Sequence, residues 1–164
     1  MVWKKLGLVL LACLLQSMLT AEANEQQPID RTAFYGAMAS TRMDRIESQL
    51  KIMAASADPG REAFMGTLNM KKASLTRGAA KKLSLFKGGR HQLEATIKKD
   101  SGNAEYRFLR LMIQENAPDQ LGYHSDLVRD YALIRRRFKT LQPDVQQAIK
   151  GYSEKSKIIK AADL

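Results

Sequence analysis

Cysteine, proline, valine and histidine are scarce in this sequence. Its 164 residues include one cysteine, four prolines and two histidines, and the few valines are scattered. No long stretch alternates apolar with polar residues, so signals for β-strands are nearly absent. Cys13 lies in the N-terminal stretch predicted below to be removed, so the mature chain is expected to hold no disulfide, thiol nucleophile or cysteine metal ligand. Packing of apolar side chains must therefore stabilise the fold.

Motifs for catalysis are also missing. No serine lies in a glycine elbow, and the stretch KGGR at 87–90 lacks the spacing of a phosphate-binding loop. Pairs of carboxylates such as Glu94 with Asp100 show no spacing typical of acid–base catalysis. We therefore expect the protein not to be an enzyme and to hold no cofactor or metal.

The two histidines offer little to a metal or catalytic site. His91 has no partner at metal-ligand spacing, and several ligands are needed to hold a metal. His124 is better placed, because Asp119, Asp126 and Asp130 lie close to it in the sequence. Asp126 is more simply a helix cap, and Asp130 an ion-pair partner of nearby arginines. The sequence leaves open whether His124 with Asp126 has a role.

The N-terminal stretch has the layout of a cleaved secretory signal. Lys4 and Lys5 precede an apolar run at 6–19, and the small-residue site AEA follows at 21–23. The run is too short for a comfortable membrane span, which needs about 20 apolar residues. We therefore predict removal of residues 1–23 and export to the periplasm or the medium.

A second interpretation of the same stretch is a bacterial lipoprotein signal. The letters LLAC end at Cys13, which would carry the lipid, but the residues after it stay apolar where such a signal turns polar. In either case the remaining chain has the size of one domain. We predict a flexible leader at 24–29, a single all-helical domain at 30–160 and a frayed tail.

The chain is strongly basic, with a net charge of +10 that falls to +9 when two lysines and one glutamate leave with the signal. Such a charge suits anionic lipid, polyanionic glycans or an acidic protein, whereas export argues against nucleic acid. Between Glu62 and Glu94 there are seven basic residues and no acidic one. These are Lys71, Lys72, Arg77, Lys81, Lys82, Lys87 and Arg90. Either they form a surface that binds anionic lipid or an acidic partner, or they are the solvated sides of amphipathic helices.

Helical spacing is found in almost every segment from residue 30 onward. Apolar residues recur three or four positions apart, and breakers such as SADPG at 56–60 separate the segments. One helix, predicted at 61–75, has a face of mostly small residues that lets a neighbouring helix approach closely. Gly88 and Gly89 in the next helix predict either a kink or a close helix crossing.

The helix that contains Gly89 carries a long apolar stripe. Its members recur by four and three, and they are Ala79, Leu83, Phe86, Arg90, Leu93 and Ile97. Only Arg90 is charged, and its aliphatic stem is able to cover apolar surface. We expect the stripe to be part of the core.

A further helix is predicted to begin after Asn103, whose side chain can cap it, with Glu105 in the first turn. Most of its circumference is apolar, so it should be packed on both flanks. Arg107, Arg110 and Gln114 occupy the remaining polar stripe. We predict that these three residues contact a partner.

The segment from Phe86 to Leu109 resembles the junction between two tetratricopeptide repeats. The matching residues are Phe86, Gly89, Leu93, Ile97, Asp100, Asn103, Ala104 and Glu105. Ser101 stands where such repeats usually have proline, and no full copy of the pattern of about 34 residues recurs elsewhere. The resemblance implies stacked helical hairpins and no particular ligand.

Over most of its length the chain also resembles a family of small, exported bacterial helical proteins, on stretches such as NMKKASL, KKLSLFKGG and RFLRLMIQENAP. That resemblance implies export and an all-helical fold, and no activity. We predict an all-α fold of antiparallel helical hairpins, arranged as a short tetratricopeptide-like superhelix or a bundle. The predicted function is an exported binding or scaffold module for a protein or peptide. The alternative is a basic protein that binds anionic lipid or polyanion surfaces in the cell envelope.

Overall fold

The computed structural model describes residues 28–164. The predicted signal at 1–23, with Cys13, and the leader residues 24–27 lie outside the described residues. Seven α-helices and no strand occur in the described part of the chain. The helices are α1 (Arg31–Ala39), α2 (Met43–Ala55), α3 (Arg61–Leu75), α4 (Ala79–Lys99), α5 (Ala104–Gln114), α6 (Leu127–Arg137) and α7 (Pro143–Ser153). The predicted all-α fold is confirmed.

Polar side chains start two of these helices. Asp30 accepts a hydrogen bond from the amide of Ala33 (2.9 Å) at the start of α1. Asn103 accepts from the amides of Glu105 and Tyr106 at the start of α5, so the cap predicted from the sequence is confirmed. Both caps satisfy amides that have no partner within the helix itself.

Helices α3 and α4 form the most closely packed pair. Only residues 76–78 join them, so they run antiparallel. A Cβ atom on Gly66 would lie 2.5 Å from the carbonyl oxygen of Gly89, and a Cβ atom on Gly89 would meet the Gly66 oxygen as closely. Gly88, by contrast, has open space around it. The close crossing predicted from the small-residue face of α3 is confirmed.

The first and last helices meet, because α1 contacts α7 as well as α2. Phe34 of α1 packs edge-to-face on Phe64 of α3, with ring centres 4.9 Å apart. Phe108 of α5 packs in the same way on Tyr152 of α7, at 5.7 Å. Such pairs stabilise beyond the apolar area that they bury. The helices therefore close into a bundle, one of the two predicted arrangements.

Both ends of the described chain are packed. Ile29, placed in the predicted leader, is 5% exposed, so the packed domain begins before residue 30. At the other end Ile159 is fully buried, and the hydroxyl of Tyr131 donates to Asp163 Oδ2 at 2.6 Å. The tail predicted to fray is therefore held by contacts with the bundle.

Only part of the apolar stripe predicted on α4 belongs to the core. Phe86, Leu93 and Ile97 are buried, but Ala79 and Leu83 are exposed, Leu83 to 41%. The core expectation is wrong for these two residues because the first turns of α4 border an open groove instead of another helix.

Candidate functional site

An open groove with a volume of about 890 Å³ lies between α1, α3, α4, α5 and α7. Ligand pockets in proteins are typically about 300–1,000 Å³ and mainly apolar. The groove fits this description, since most of its lining is apolar or aromatic. The lining side chains that matter below are Met38, Met70, Leu83, Phe86, Met112 and Tyr152.

Three of the lining residues are methionines, contributed by α1, α3 and α5. The methionine side chain is unbranched and polarizable, so it adapts to ligands of different shape. Leu83 on α4 adds exposed apolar area to the lining. An open, adaptable apolar surface of this kind is typical of a binding site.

The charged side chains in the described lining of the groove are all lysines. Lys71, Lys82 and Lys155, here called the groove lysines, line the groove, and no carboxylate of residues 28–164 does. Within residues 28–164 none of the three forms an ion pair. Burial, together with the Lys155 ammonium, lowers the pKa of Lys71. The groove therefore offers both apolar contact and positive charge that lacks a carboxylate partner in the described chain.

One wall of the groove is fixed by the carboxylate of Glu115. The hydroxyl of Tyr152 donates to Glu115 Oε2 (2.9 Å) and accepts from Asn116 Nδ2 (2.9 Å). Glu115 also accepts from the hydroxyl of Ser156 (2.8 Å) and from the amide of Lys157. Burial, aided by the Glu115 charge, raises the pKa of Tyr152, so its hydroxyl keeps its proton at ordinary pH. The same carboxylate thus holds the Tyr152 wall and the chain that follows α7.

The seven residues of the predicted basic segment occupy different environments. Two of them are groove lysines. Lys72 pairs with Glu47 of α2 at 2.8 Å, and the guanidinium of Arg90 lies over the ring of Tyr123, 4.5 Å from its centre. The remaining three are exposed, namely Arg77, Lys81 and Lys87. The segment is therefore partly a solvated helix face and partly the rim of the groove.

The polar stripe predicted to contact a partner faces the protein interior. Arg110 is 2% exposed, and Gln114 is fully buried. The Nε and Nη2 atoms of Arg110 each donate to Asp130 at 2.6 Å, and Nη1 donates to Glu94 at 2.8 Å. Arg107 Nη1 donates to Asp130 at 3.2 Å. The acids belong to α4 and α6, and burial keeps Arg110 and Gln114 out of reach of an outside partner. Gln114 Oε1 accepts no hydrogen bond from residues 28–164.

These contacts form a buried ion-pair network. We call it the arginine network, and it comprises Arg107, Arg110, Glu94, Asp126 and Asp130. Asp126 occupies the cap position of α6, but its side chain makes no cap bond and lies 3.4 Å from Arg110 Nη2. Although burial opposes ionisation, the Arg110 charge keeps the pKa of Asp126 below its ordinary value. The expected pairing of Asp130 with arginines is present, but those arginines are on α5.

A second buried ion pair joins α5 to α1. Glu105 accepts hydrogen bonds from Arg31 Nε and Nη2, both at 2.9 Å, and from the hydroxyl of Tyr35 at 3.1 Å. Burial raises the pKa of Glu105 even though Arg31 favours its ionised form. Nothing in the local sequence pattern indicated this pair, because 74 residues separate Arg31 from Glu105.

His124 and the carboxylates near it do not converge on a site. His124 Nε2 lies 3.4 Å from Asp119 Oδ1, but the geometry of a hydrogen bond is not met. Asp126 is engaged by Arg110 instead. In the part of the chain that the structure describes, no three histidine, cysteine, aspartate or glutamate residues are grouped so as to hold a metal ion. The groove is therefore the candidate site.

Comparison of the chain with protein-family models, with curated proteins and with solved structures found no match in any of the three. Among the helices between residues 28 and 164, none combines the length and the apolar character needed to cross a membrane. Function must therefore be inferred from the groove.

Proposed function

We propose that the chain is an exported, non-catalytic binding module that recognises a segment of a protein or peptide in its groove. The observation that carries this proposal is the open apolar groove of about 890 Å³. Five helices form it, and buried contacts hold them in place, so the groove is available before a ligand binds. Export is supported by the basic, apolar and small-residue order of the first 23 residues.

The chemistry of the lining favours binding over catalysis. Among the described residues, the groove is lined by apolar side chains, lysines, tyrosines, amides and one serine, and by no carboxylate, imidazole or thiol. Most acid–base and nucleophilic mechanisms use one of those three groups. The methionines, in contrast, suit recognition of a segment whose shape varies.

A matched pair of tryptophan substitutions on α7 tests the role of the groove. Ala148 lines the groove, whereas the adjacent Gln147 is exposed and does not. Peptides selected by the wild-type protein from a random library about three helical turns long are measured by fluorescence anisotropy. Ala148→Trp is expected to weaken their binding about tenfold or more by filling the groove, and Gln147→Trp should leave it unchanged.

Two results would count against this assignment. If both variants lose affinity equally, or if neither variant loses affinity, the peptide site lies outside the groove. A selection that yields no peptide with measurable affinity for the wild-type protein would remove the peptide-binding proposal itself.

Processing of the N-terminus tests the export part of the proposal. N-terminal sequencing of the protein recovered from the cell envelope or medium is expected to begin at Asn24. Cys13→Ser should not alter the recovery, because the predicted signal is not that of a lipoprotein. A full-length chain that stays in the cytoplasm contradicts export, and lipid on Cys13 supports the lipoprotein interpretation instead.

Binding to an anionic lipid surface is a second candidate, favoured by the exposed start of α4. There the exposed Leu83 is flanked by Lys81, Lys82 and Lys87, a combination that suits an anionic membrane surface. Sedimentation with phosphatidylglycerol vesicles should then be strong and salt-sensitive, and it should weaken in a Lys81→Gln/Lys87→Gln variant. Indifference to these vesicles leaves the peptide groove as the sole candidate.

A further inference from the structure

We infer that the occupant of the groove is an acidic amphipathic helix of a partner protein, with apolar side chains in the groove and carboxylates at the groove lysines. This inference rests on the proposed function and specifies the class of peptide that the groove recognises.

The size of the groove suits a short helical segment. A helix with small side chains is about 10 Å across, so a volume of about 890 Å³ accommodates about 11 Å of its length, or about two turns. Two turns present apolar residues at positions i, i+3, i+4 and i+7, which is the usual spacing of anchors when a helix binds in a groove.

The polar groups of the lining favour a helix over an extended peptide. An extended segment would bring unpaired amides and carbonyls into an apolar groove, which is costly. The Asn116 amide group already donates to the Met112 carbonyl and to Tyr152, and the Ser74 hydroxyl donates to the Lys71 carbonyl. The described chain also has no strand edge to pair with. A helix satisfies its own backbone groups and avoids these costs.

Charge complementarity makes the helix acidic. The three groove lysines have no carboxylate partner in the described chain, and the Lys155 ammonium disfavours the charge on Lys71. A ligand carboxylate between Lys71 and Lys155 would relieve that repulsion and form charge-assisted hydrogen bonds. Lys82, on the neighbouring helix α4, supplies a second contact for negative charge.

The chain itself is poorly suited to occupy its own groove. A second processed copy would bring a net charge of +9, the full chain's +10 less two lysines and one glutamate, to a positively charged rim. The apolar run at 6–19 contains no acidic residue and follows Lys4 and Lys5. Neither a second copy nor this run supplies negative charge to pair with the groove lysines, so the acidic helix belongs to a different protein.

Four labelled peptides test this inference by fluorescence anisotropy. Three of about four turns share leucines at the helical anchor spacing and carry only glutamate, only glutamine or only lysine at the remaining positions. The fourth is the glutamate peptide with two internal prolines, which cannot be helical. We expect the glutamate peptide to bind about tenfold more tightly than the glutamine peptide, and the lysine and proline peptides to bind more weakly than both.

Charge reversal in the protein provides the matched control. Lys71→Glu/Lys155→Glu is expected to weaken binding of the glutamate peptide about tenfold or more and to strengthen binding of the lysine peptide. Lys99→Glu/Lys139→Glu makes the same change of net charge at exposed positions outside the groove and should have little effect. All four lysines lack ion pairs within residues 28–164, so both variants are expected to fold.

Each of the following outcomes would overturn one part of the inference. Equal binding of the glutamate, glutamine and lysine peptides, all blocked by Ala148→Trp, overturns the acidic preference and leaves peptide binding intact. Tight binding of the proline peptide overturns the helical form. Binding that appears only after residues 1–23 are deleted, or only on dissociation of a dimer, identifies the chain itself as the occupant. Binding of phosphatidylglycerol vesicles, but of no peptide, overturns both the inference and the proposed function.

Discussion

The arginine network and the groove lysines are two sets of cations with opposite surroundings. Arg110 is 2% exposed and is held by carboxylates from two other helices. The groove lysines border an apolar surface and have no carboxylate partner in the described chain. A buried charge is tolerated only when it is paired and hydrogen-bonded. We therefore expect the fold to depend more on the arginines than on the groove lysines, whose charge is the part of the groove proposed to meet a ligand.

This difference predicts opposite effects on stability when a cation is removed from each set. Residues that bind a ligand are often kept at some cost to the stability of the fold. Removing one partner of a buried ion pair, by contrast, strongly destabilises the folded protein. Urea denaturation at neutral pH measures both effects on the same scale.

The largest effect is expected for Arg110→Met. Asp130, with no solvent exposure, would lose both of its 2.6 Å hydrogen bonds and keep only the longer contact with Arg107. The free energy of unfolding should fall by about 3–5 kcal/mol. Arg136→Ala, an exposed change on α6, should stay within about 0.5 kcal/mol. A loss below about 1 kcal/mol in Arg110→Met would show that the network contributes little.

A smaller loss is expected when both partners are removed together. Arg110→Met/Asp130→Leu leaves no unpaired charge at the centre of the network, and apolar replacements of buried ion pairs are often nearly neutral. The double variant should therefore regain at least half of the stability lost in Arg110→Met. The single variant Asp130→Leu completes the comparison. If the double variant loses as much stability as Arg110→Met and Asp130→Leu added together, the two residues act independently and the network interpretation is wrong.

Acid should weaken the arginine network through Asp126. Its pKa is lowered in the folded protein from the ordinary 3.8, with burial opposed by the Arg110 charge. The carboxylate thus contributes stability that is fully present above the unfolded value and is lost as pH falls through the lower folded value. Asp126→Asn should cost about 1 kcal/mol at neutral pH and progressively less as the pH falls below the ordinary value of 3.8. A difference that does not change with pH would contradict this assignment.

The smallest effect, and one of opposite sign, is expected for Lys71→Met. Burial and the Lys155 ammonium lower the pKa of Lys71, so the charged form is disfavoured in the fold. Removing the charge should leave stability unchanged within about 0.5 kcal/mol or raise it. The same variant should bind the glutamate peptide more weakly. A marked loss of stability would instead make Lys71 a structural residue like Arg110.

Features that depend on neighbouring residues in the chain were predicted correctly from the sequence. The cap at Asn103 and the bounds of α3 follow from local hydrogen bonding and local breakers. The close crossing at Gly66 and Gly89 could also be predicted, because small residues on a helix face allow close approach whichever helix is the neighbour. In each case the physical cause lies within a few turns of helix.

Features that depend on which helix covers a face could not be predicted. The spacing of Arg107, Arg110 and Gln114 showed that they share one side of α5, but not that the acids of α4 and α6 cover that side. The groove has the same limit. Its lysines come from α3, α4 and the chain that follows α7, and only the first two lie in the basic segment seen in the sequence.

The contact between Gly66 and Gly89 has a consequence for how this chain can diverge. Each added Cβ would meet a carbonyl oxygen of the other helix, so a substitution at one position cannot be compensated by a smaller side chain at the other. Homologous chains that keep this hairpin are expected to hold glycine at both places, however far their surfaces have changed. That paired glycine, at its fixed interval, is a better mark of common descent than the basic composition.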